Sequence, residues 1–143
     1  MIKVKNLYHS YSKDDKYAVK DASFEVEKGE IFGFLGPSGA GKSTTQGVLT
    51  GLLQLQKGEV TVAGYDAKKF SKKMFNDIGM SFEQSNVYNK MTAKENLTFY
   101  AKLFDVETKD PQELLDLVGL GDKANLKAGD FSKGMKHRLT FAR

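Results

Sequence analysis

The sequence has no cysteine and only two histidines, which removes several kinds of site at once. Without cysteine the chain has no disulfide, no thiolate metal site and no cysteine nucleophile. Two imidazoles, His9 and His137, argue against a zinc centre, because zinc sites usually combine several histidine or cysteine ligands. No apolar run approaches the length of a bilayer span, and the N-terminal residues lack the apolar core of a secretory signal. We therefore expect a cytoplasmic protein.

Proline and arginine are also scarce. Two prolines against 14 glycines exclude a proline-rich linker and a collagen-like chain. Lysine supplies nearly all of the 22 basic residues, since Arg138 and Arg143 are the only arginines. Proteins that read nucleic acid depend on arginine at base edges and in the minor groove, and the net charge here is only +4. We expect no nucleic-acid partner. The 143 residues, 40% of them hydrophobic, suffice for one folded domain.

The hydrophobic periodicity changes along the chain and predicts a mixed α/β protein. Alternating apolar residues predict strands near 2–5, 22–26 and 60–62, whereas 31–35 is apolar throughout, as in a strand buried on both faces. Helical spacing begins after residue 41, which gives the order strand, glycine-rich loop, helix. Further predicted elements are a helix over 70–77, a strand over 78–82, and helices capped by Thr92, Asp110 and Ser132, with Gly119 just past the second of these helices.

The glycine-rich loop fits the pattern G-x-x-x-x-G-K-[ST] completely. Its glycines allow backbone N–H groups to turn inward around an anion, and the following helix directs its N-terminus at the same phosphates. Lys42 can reach the terminal phosphates, the Ser43 hydroxyl can ligate Mg²⁺, and Thr44 can donate to a phosphate oxygen. The alternative is a plain glycine-rich turn before a helix. The motif in this context predicts a site for a nucleoside triphosphate with Mg²⁺, formed by Gly36, Pro37, Ser38, Gly39, Ala40, Gly41, Lys42, Ser43 and Thr44.

With this loop placed, the whole chain resembles the ATP-binding domain of ABC transporters. The resemblance implies an incomplete P-loop nucleotide-binding α/β fold with an antiparallel β layer and a helical subdomain. It divides the chain into a β layer with the phosphate-loop core (1–91), the helical subdomain (92–130) and the signature segment (131–143). Tyr11 matches the aromatic residue that stacks on adenine in this family, and the alternative is a core or hairpin aromatic.

Two further motifs of the family have recognisable counterparts. Residues 78–84 resemble the Q-loop, and the family glutamine, which touches Mg²⁺ and the attacking water, aligns with Glu83. A carboxylate can still ligate Mg²⁺, so Glu83 is the preferred residue here. One alternative is a local shift that lets Gln84 serve instead, and another is that both are solvated loop residues. Residues 131–139 resemble the signature motif, in which Ser132 and Gly134 would grip the γ-phosphate held by the opposite subunit.

The resemblance implies an ATPase subunit that couples ATP binding and hydrolysis to transport, with ATP and Mg²⁺ as cofactors. The variant signature motif, with Lys133 and Met135, is similar to that of exporters whose membrane domain is a separate chain. The implied partners are a second ATP-binding subunit and transmembrane subunits at the cytoplasmic face of the membrane. The family's Mg²⁺-binding Asp, catalytic Glu and switch His have no counterpart, so we expect a chain truncated after the signature motif that binds ATP without normal turnover.

Three alternatives to this function are open. The chain can belong to a non-transport ATPase of the same superfamily, or be a non-hydrolysing nucleotide-binding module from a shortened gene. A small-molecule kinase is the third, although the phosphate loop of a kinase usually follows the first strand.

Overall fold

A computed structural model of the protein describes residues 1–12, 14, 16–81 and 84–143. The chain forms two compact units, Met1–Ile78 and Gly79–Arg143. Within the described residues, no helix combines the length and the apolar character that crossing a membrane requires.

The first unit is built on a four-stranded antiparallel sheet in the order β2-β1-β3-β4. Its core contains inward-facing valines and Leu7 from the strands together with Val48 from the helix, because alternation places every second strand residue on one face. The strands near 2–5, 22–26 and 60–62 are confirmed. The elements are β1 (Ile2–Ser10), β2 (Tyr17–Val26), α1 (Lys42–Leu49), β3 (Lys57–Val62) and β4 (Tyr65–Asp66).

The predicted buried strand over 31–35 is wrong for this structure. The segment has no strand geometry, and Ile31 and Leu35 are 99% and 93% exposed. Phe32 and Phe34 instead pack on Phe24 of β2, with ring centroids 5.4 and 5.3 Å away. A strand exists through hydrogen bonds to its neighbours, and none of the described strands pairs with this segment.

The helix predicted over 70–77 is replaced by two short 3-10 helices, Ala67–Lys69 and Lys72–Asn76. Phe70 packs against the core of the first unit and Met74 is fully buried. Residues 78–81 contain no strand, and Phe82 lies outside the described residues. Within residues 70–77, only Phe70 and Met74 pack into the protein. Two apolar side chains are too few for the continuous apolar stripe that a packed α-helix needs.

The second unit is helical, and the three α-helices found in its described residues enclose a separate core. Leu97, Leu115, Leu120 and Leu139 are buried there. Two 3-10 turns, Gly121–Lys123 and Ala128–Asp130, connect the later helices. The α-helices are α2 (Ala93–Ala101), α3 (Pro111–Leu117) and α4 (Lys133–Ala142).

Local capping determines where these helices begin and end, as the sequence predicted. Thr92 forms a complete capping box at α2, and the Asp110 carboxylate accepts the Gln112 N–H before α3. Beyond α3, Gly119 adopts φ +65°. The Leu120 N–H then bonds the Leu115 carbonyl at 2.8 Å, the pattern of a Schellman motif.

Candidate functional site

The phosphate loop lies between β2 and the start of α1, and Gly41 is its tightest point. Gly41 has φ +82° and ψ 9°, a left-handed conformation that L side chains rarely adopt. A Cβ atom at this position would run into the Ala18 carbonyl oxygen and lie 2.9 Å from Cγ2 of Val19. Glycine is therefore required here on two grounds, the backbone conformation and the close approach of β2.

The first turn of α1 presents backbone donors that the protein does not use. Gly41 is the N-cap and offers no side chain, so the N–H groups of Lys42, Ser43 and Thr44 have no acceptor among the described residues. The Thr45 N–H bonds the Gly41 carbonyl at 2.8 Å and starts the regular helix. Unpaired N–H groups and the positive end of the helix dipole favour an anion at this position.

These donors border a cavity of ≈ 300 Å³. Within the described part of the chain, no acidic side chain contributes to its wall, so nothing there repels a phosphate. The lining residues are Ala18, Ser38, Gly39, Gly41, Lys42, Ser43 and Thr44.

The Lys42 ammonium folds back over the loop. Its Nζ donates to the carbonyl oxygens of Gly36 at 2.7 Å and Pro37 at 2.8 Å. The Pro37 carbonyl also accepts the Ala40 N–H at 3.2 Å, which closes a turn inside the loop. The loop itself thus positions the one positive charge that the described residues bring to the cavity wall.

This donor set fits a polyphosphate with Mg²⁺. The amides and the Lys42 ammonium match phosphate oxygens, and the Ser43 hydroxyl is an oxygen ligand of the kind that Mg²⁺ accepts. Among the described residues, no group of three His, Asp or Glu side chains lies close enough to hold a metal. Mg²⁺ would therefore take most of its ligands from phosphate and water, as it commonly does.

Tyr11 reaches the start of α1. Its hydroxyl lies 3.1 Å from Oγ1 of Thr44, and its ring meets that of His9 edge-on with centroids 5.1 Å apart. Tyr11 is 69% exposed, which excludes a core aromatic, while the alternative of a hairpin aromatic stays open because the residue lies between the paired strands β1 and β2. An exposed ring beside the phosphate loop has a face available for stacking.

Three contacts of this site were not anticipated from the sequence. These are the bond between Tyr11 and Thr44, the packing of buried His9 beside Tyr11, and the presence of Ala18 in the cavity wall. The contact between Tyr11 and Thr44 joins residues 33 apart in sequence, and Ala18 lies on β2, so no local motif marks either of them. Only the apolar-polar alternation around His9 offered a hint, by placing it on the inner face of β1.

The other predicted site residues lie in the second unit or outside the description. Glu83, the preferred Q-loop residue and second predicted Mg²⁺ ligand, lies outside the described residues, and Gln84 is exposed. Ser132 caps α4 by accepting the Met135 N–H at 3.3 Å, and a Cβ at Gly134 would meet nothing within 4 Å. These two residues thus form an open helix start, and their role toward a γ-phosphate stays a prediction.

Comparison with known proteins gives consistent matches across the chain. The ABC transporter family matches residues 19–143. A "Fluoroquinolones export ATP-binding protein" of Mycobacterium tuberculosis is 48% identical over 143 residues, covering 100% of this chain and 48% of its own length. The "Linearmycin resistance ATP-binding protein LnrL" of Bacillus subtilis is 40% identical, covering 97% of this chain and 45% of its own length. The chain thus spans about half the length of these relatives.

Solved structures agree with the sequence comparison. A dimeric ATP-binding cassette in a post-hydrolysis state, bound to ADP and Pi, superposes with a TM-score of 0.79 at 26% identity. That match covers 99% of this chain and 68% of the other. An "ATP binding subunit of ABC transporter" gives a TM-score of 0.83 at 26% identity, covering 99% of this chain and 60% of the other. The predicted fold class, an incomplete P-loop α/β fold with an antiparallel layer and a helical part, is confirmed.

Proposed function

Because this chain belongs to the ABC transporter family, we propose that it binds Mg-ATP as the ATP-binding part of a transporter subunit. The proposal rests on the groups that the structure brings together at the start of α1. Three unpaired amides, the Lys42 ammonium and the Ser43 hydroxyl border one cavity there, with no acidic side chain among its described lining residues. This is the chemistry that a triphosphate with its cation requires.

Each residue of the site has a distinct part in this proposal. Gly39 and Gly41 shape the loop, and its amides cradle the phosphates. Lys42 exchanges its two loop carbonyls for oxygens of the terminal phosphates, and Ser43 ligates Mg²⁺. Tyr11 stacks on the adenine ring, and its contact with Thr44 holds it beside the loop. By family resemblance, Glu83 adds a second Mg²⁺ ligand.

A fluorescent ATP analogue tests the binding directly. Titration with Mg²⁺ present should give saturable binding that Lys42→Ala weakens at least tenfold, because Lys42 is the one cation among the described residues that line the cavity. Lys28→Ala is the matched control, since Lys28 is exposed in a turn of the same unit and should leave the affinity unchanged. Equal affinities of the wild type and Lys42→Ala would refute the phosphate-loop site.

The whole protein, in this proposal, couples ATP binding and hydrolysis to export. Support comes from the relatives, whose names describe fluoroquinolone export and linearmycin resistance, and from the signature variant at Lys133 and Met135. Its partners are a second ATP-binding subunit and transmembrane subunits, which place it at the cytoplasmic face of the membrane. Co-expression of the whole protein with a candidate transmembrane subunit should give an ATP-dependent fall in drug accumulation in the cell. The Lys42→Ala variant of the whole protein should not give this fall. A rise in accumulation would indicate import.

This chain alone, we further propose, binds ATP without turning it over at a normal rate. The described residues that line the cavity supply hydroxyl and amide groups and one ammonium, and no carboxylate that could act as a base toward the attacking water. Phosphate release should be near background for this chain and measurable for a version extended to the length of its relatives. Equal rates for the two would refute this part of the proposal.

A further inference from the structure

A compact group of exposed lysines lies on the two 3-10 helices of the first unit. Lys68 and Lys69 belong to the first of these helices, and Lys72 and Lys73 to the second. All four are exposed, and none forms an ion pair within the described part of the chain. We call these four lysines together with Phe75 the basic patch.

Two apolar side chains anchor the segment that carries the basic patch. Met74 is fully buried and Phe70 packs against the core of the first unit, so this pair fixes the segment to the sheet. Side chains three residues apart eclipse one another in a 3-10 helix, which places Phe75 on the same side as Lys72. Phe75 is 47% exposed. A half-exposed aromatic ring therefore lies on the same side of this 3-10 helix as Lys72.

Two carboxylates flank the patch and are already engaged. Asp66 accepts the backbone N–H of Lys68 at 2.9 Å, and Asp77 accepts the hydroxyl of Tyr65. Four lysines against two aspartates give residues 66–77 a formal net charge of +2. The segment thus presents a positive surface that its own acidic residues only partly offset.

We propose that the basic patch docks this protein on the surface of an anionic lipid bilayer. Flexible lysines suit a fluid array of phosphate headgroups, and a half-exposed aromatic ring can enter the interface beside them. A nucleic-acid surface would favour arginine, and the first unit contains none, since Arg138 and Arg143 both belong to the second. The proposal does not depend on ATP binding.

The position of the patch leaves the phosphate loop accessible. A Cβ at Gly51, just past the end of α1, would lie 3.0 Å from the Phe70 ring and 3.5 Å from the Met74 methyl. The patch therefore adjoins the C-terminal end of α1, whereas the phosphate loop lies at its N-terminal end. A membrane docked at the patch would leave nucleotide free to enter.

Co-sedimentation with lipid vesicles tests this docking. The chain should bind vesicles of phosphatidylcholine mixed with phosphatidylglycerol, bind phosphatidylcholine alone far more weakly, and be released by high salt. Each lysine near such a surface raises the binding constant for the vesicles roughly fivefold. Changing all four lysines to Gln should therefore lower this binding constant by roughly a hundredfold or more. Phe75→Ala should reduce binding by roughly tenfold without changing the charge.

A control variant separates this patch from general positive charge. Lys5, Lys16, Lys20 and Lys28 are exposed elsewhere in the first unit, and their replacement by Gln removes the same four charges. The control should keep most of the vesicle binding, and both variants should keep the thermal melt and nucleotide affinity of the wild type. Equal losses in the two variants, no preference for anionic vesicles, or tighter binding to duplex DNA than to vesicles would each overturn the proposal.

Discussion

Replacing Gly41 and Gly39 separately by alanine distinguishes two physical demands of the phosphate loop. Both residues have φ +82°, so alanine brings the same left-handed strain, about 1–2 kcal/mol, to either position. A Cβ at Gly39 meets nothing within 4 Å, whereas one at Gly41 collides with the Ala18 carbonyl and the Val19 side chain. Moving β2 away from Gly41 adds about 1–3 kcal/mol, the usual range for overpacking. We expect losses of about 1–2 kcal/mol for Gly39→Ala and about 2–5 kcal/mol for Gly41→Ala.

Urea unfolding followed by circular dichroism measures this difference. The two variants serve as controls for one another, because the substitution and the φ angle are the same. Gly41→Ala should also lose more nucleotide affinity, since the amides that follow residue 41 must shift when β2 moves. Equal destabilisation by the two variants would refute the argument that close packing against β2, and not φ alone, requires glycine at residue 41.

Four further predictions concern local interactions of the two units. Asn96→Ala should lower stability by about 2–3 kcal/mol in a thermal melt, because its buried amide side chain holds the loop before α2 through bonds of 2.8–3.1 Å. Gly119→Ala should cost about 1–2 kcal/mol in urea unfolding, since φ there is +65°. Ala63→Asn should add about 1 kcal/mol by the same assay, because Ala63 has φ +51° in a two-residue hairpin turn. The hydrogen bond to Asp77 raises the pKa of Tyr65, so this bond should stabilise the fold until pH rises through that raised pKa, and Asp77→Asn should lower the pKa in an ultraviolet titration.

Much of the site could be predicted from the sequence because its determinants are local. The phosphate-loop motif specifies a left-handed glycine and a helix start within nine residues, and α1 begins at Lys42 as expected. The caps at Thr92, Asp110 and Ser132 are equally local, since each side chain bonds an amide two or three residues away. Such hydrogen bonds join residues close in sequence, so they do not depend on contacts with distant parts of the chain.

The remaining features depend on partners distant in sequence. The segment 31–35 has the composition of a buried strand, but a strand forms only beside another, and no described strand pairs with it. Its two phenylalanines settle on Phe24 instead, a contact that periodicity cannot reveal. The contact between Tyr11 and Thr44 likewise joins residues 33 apart in sequence. Family resemblance marks Tyr11 as a candidate for stacking on adenine, but a match of one residue carries no information about its neighbours in space.

A thermal melt with and without Mg-ATP tests the central claim, that the start of α1 is a nucleotide site, most directly. A ligand at 100 times its Kd adds about 2.7 kcal/mol to the stability of a folded binder. We predict that Mg-ATP raises the melting temperature of the wild type and of Lys28→Ala, and leaves Lys42→Ala unchanged. A melting temperature that Mg-ATP does not move in the wild type, or that it raises equally in Lys42→Ala, would contradict the account.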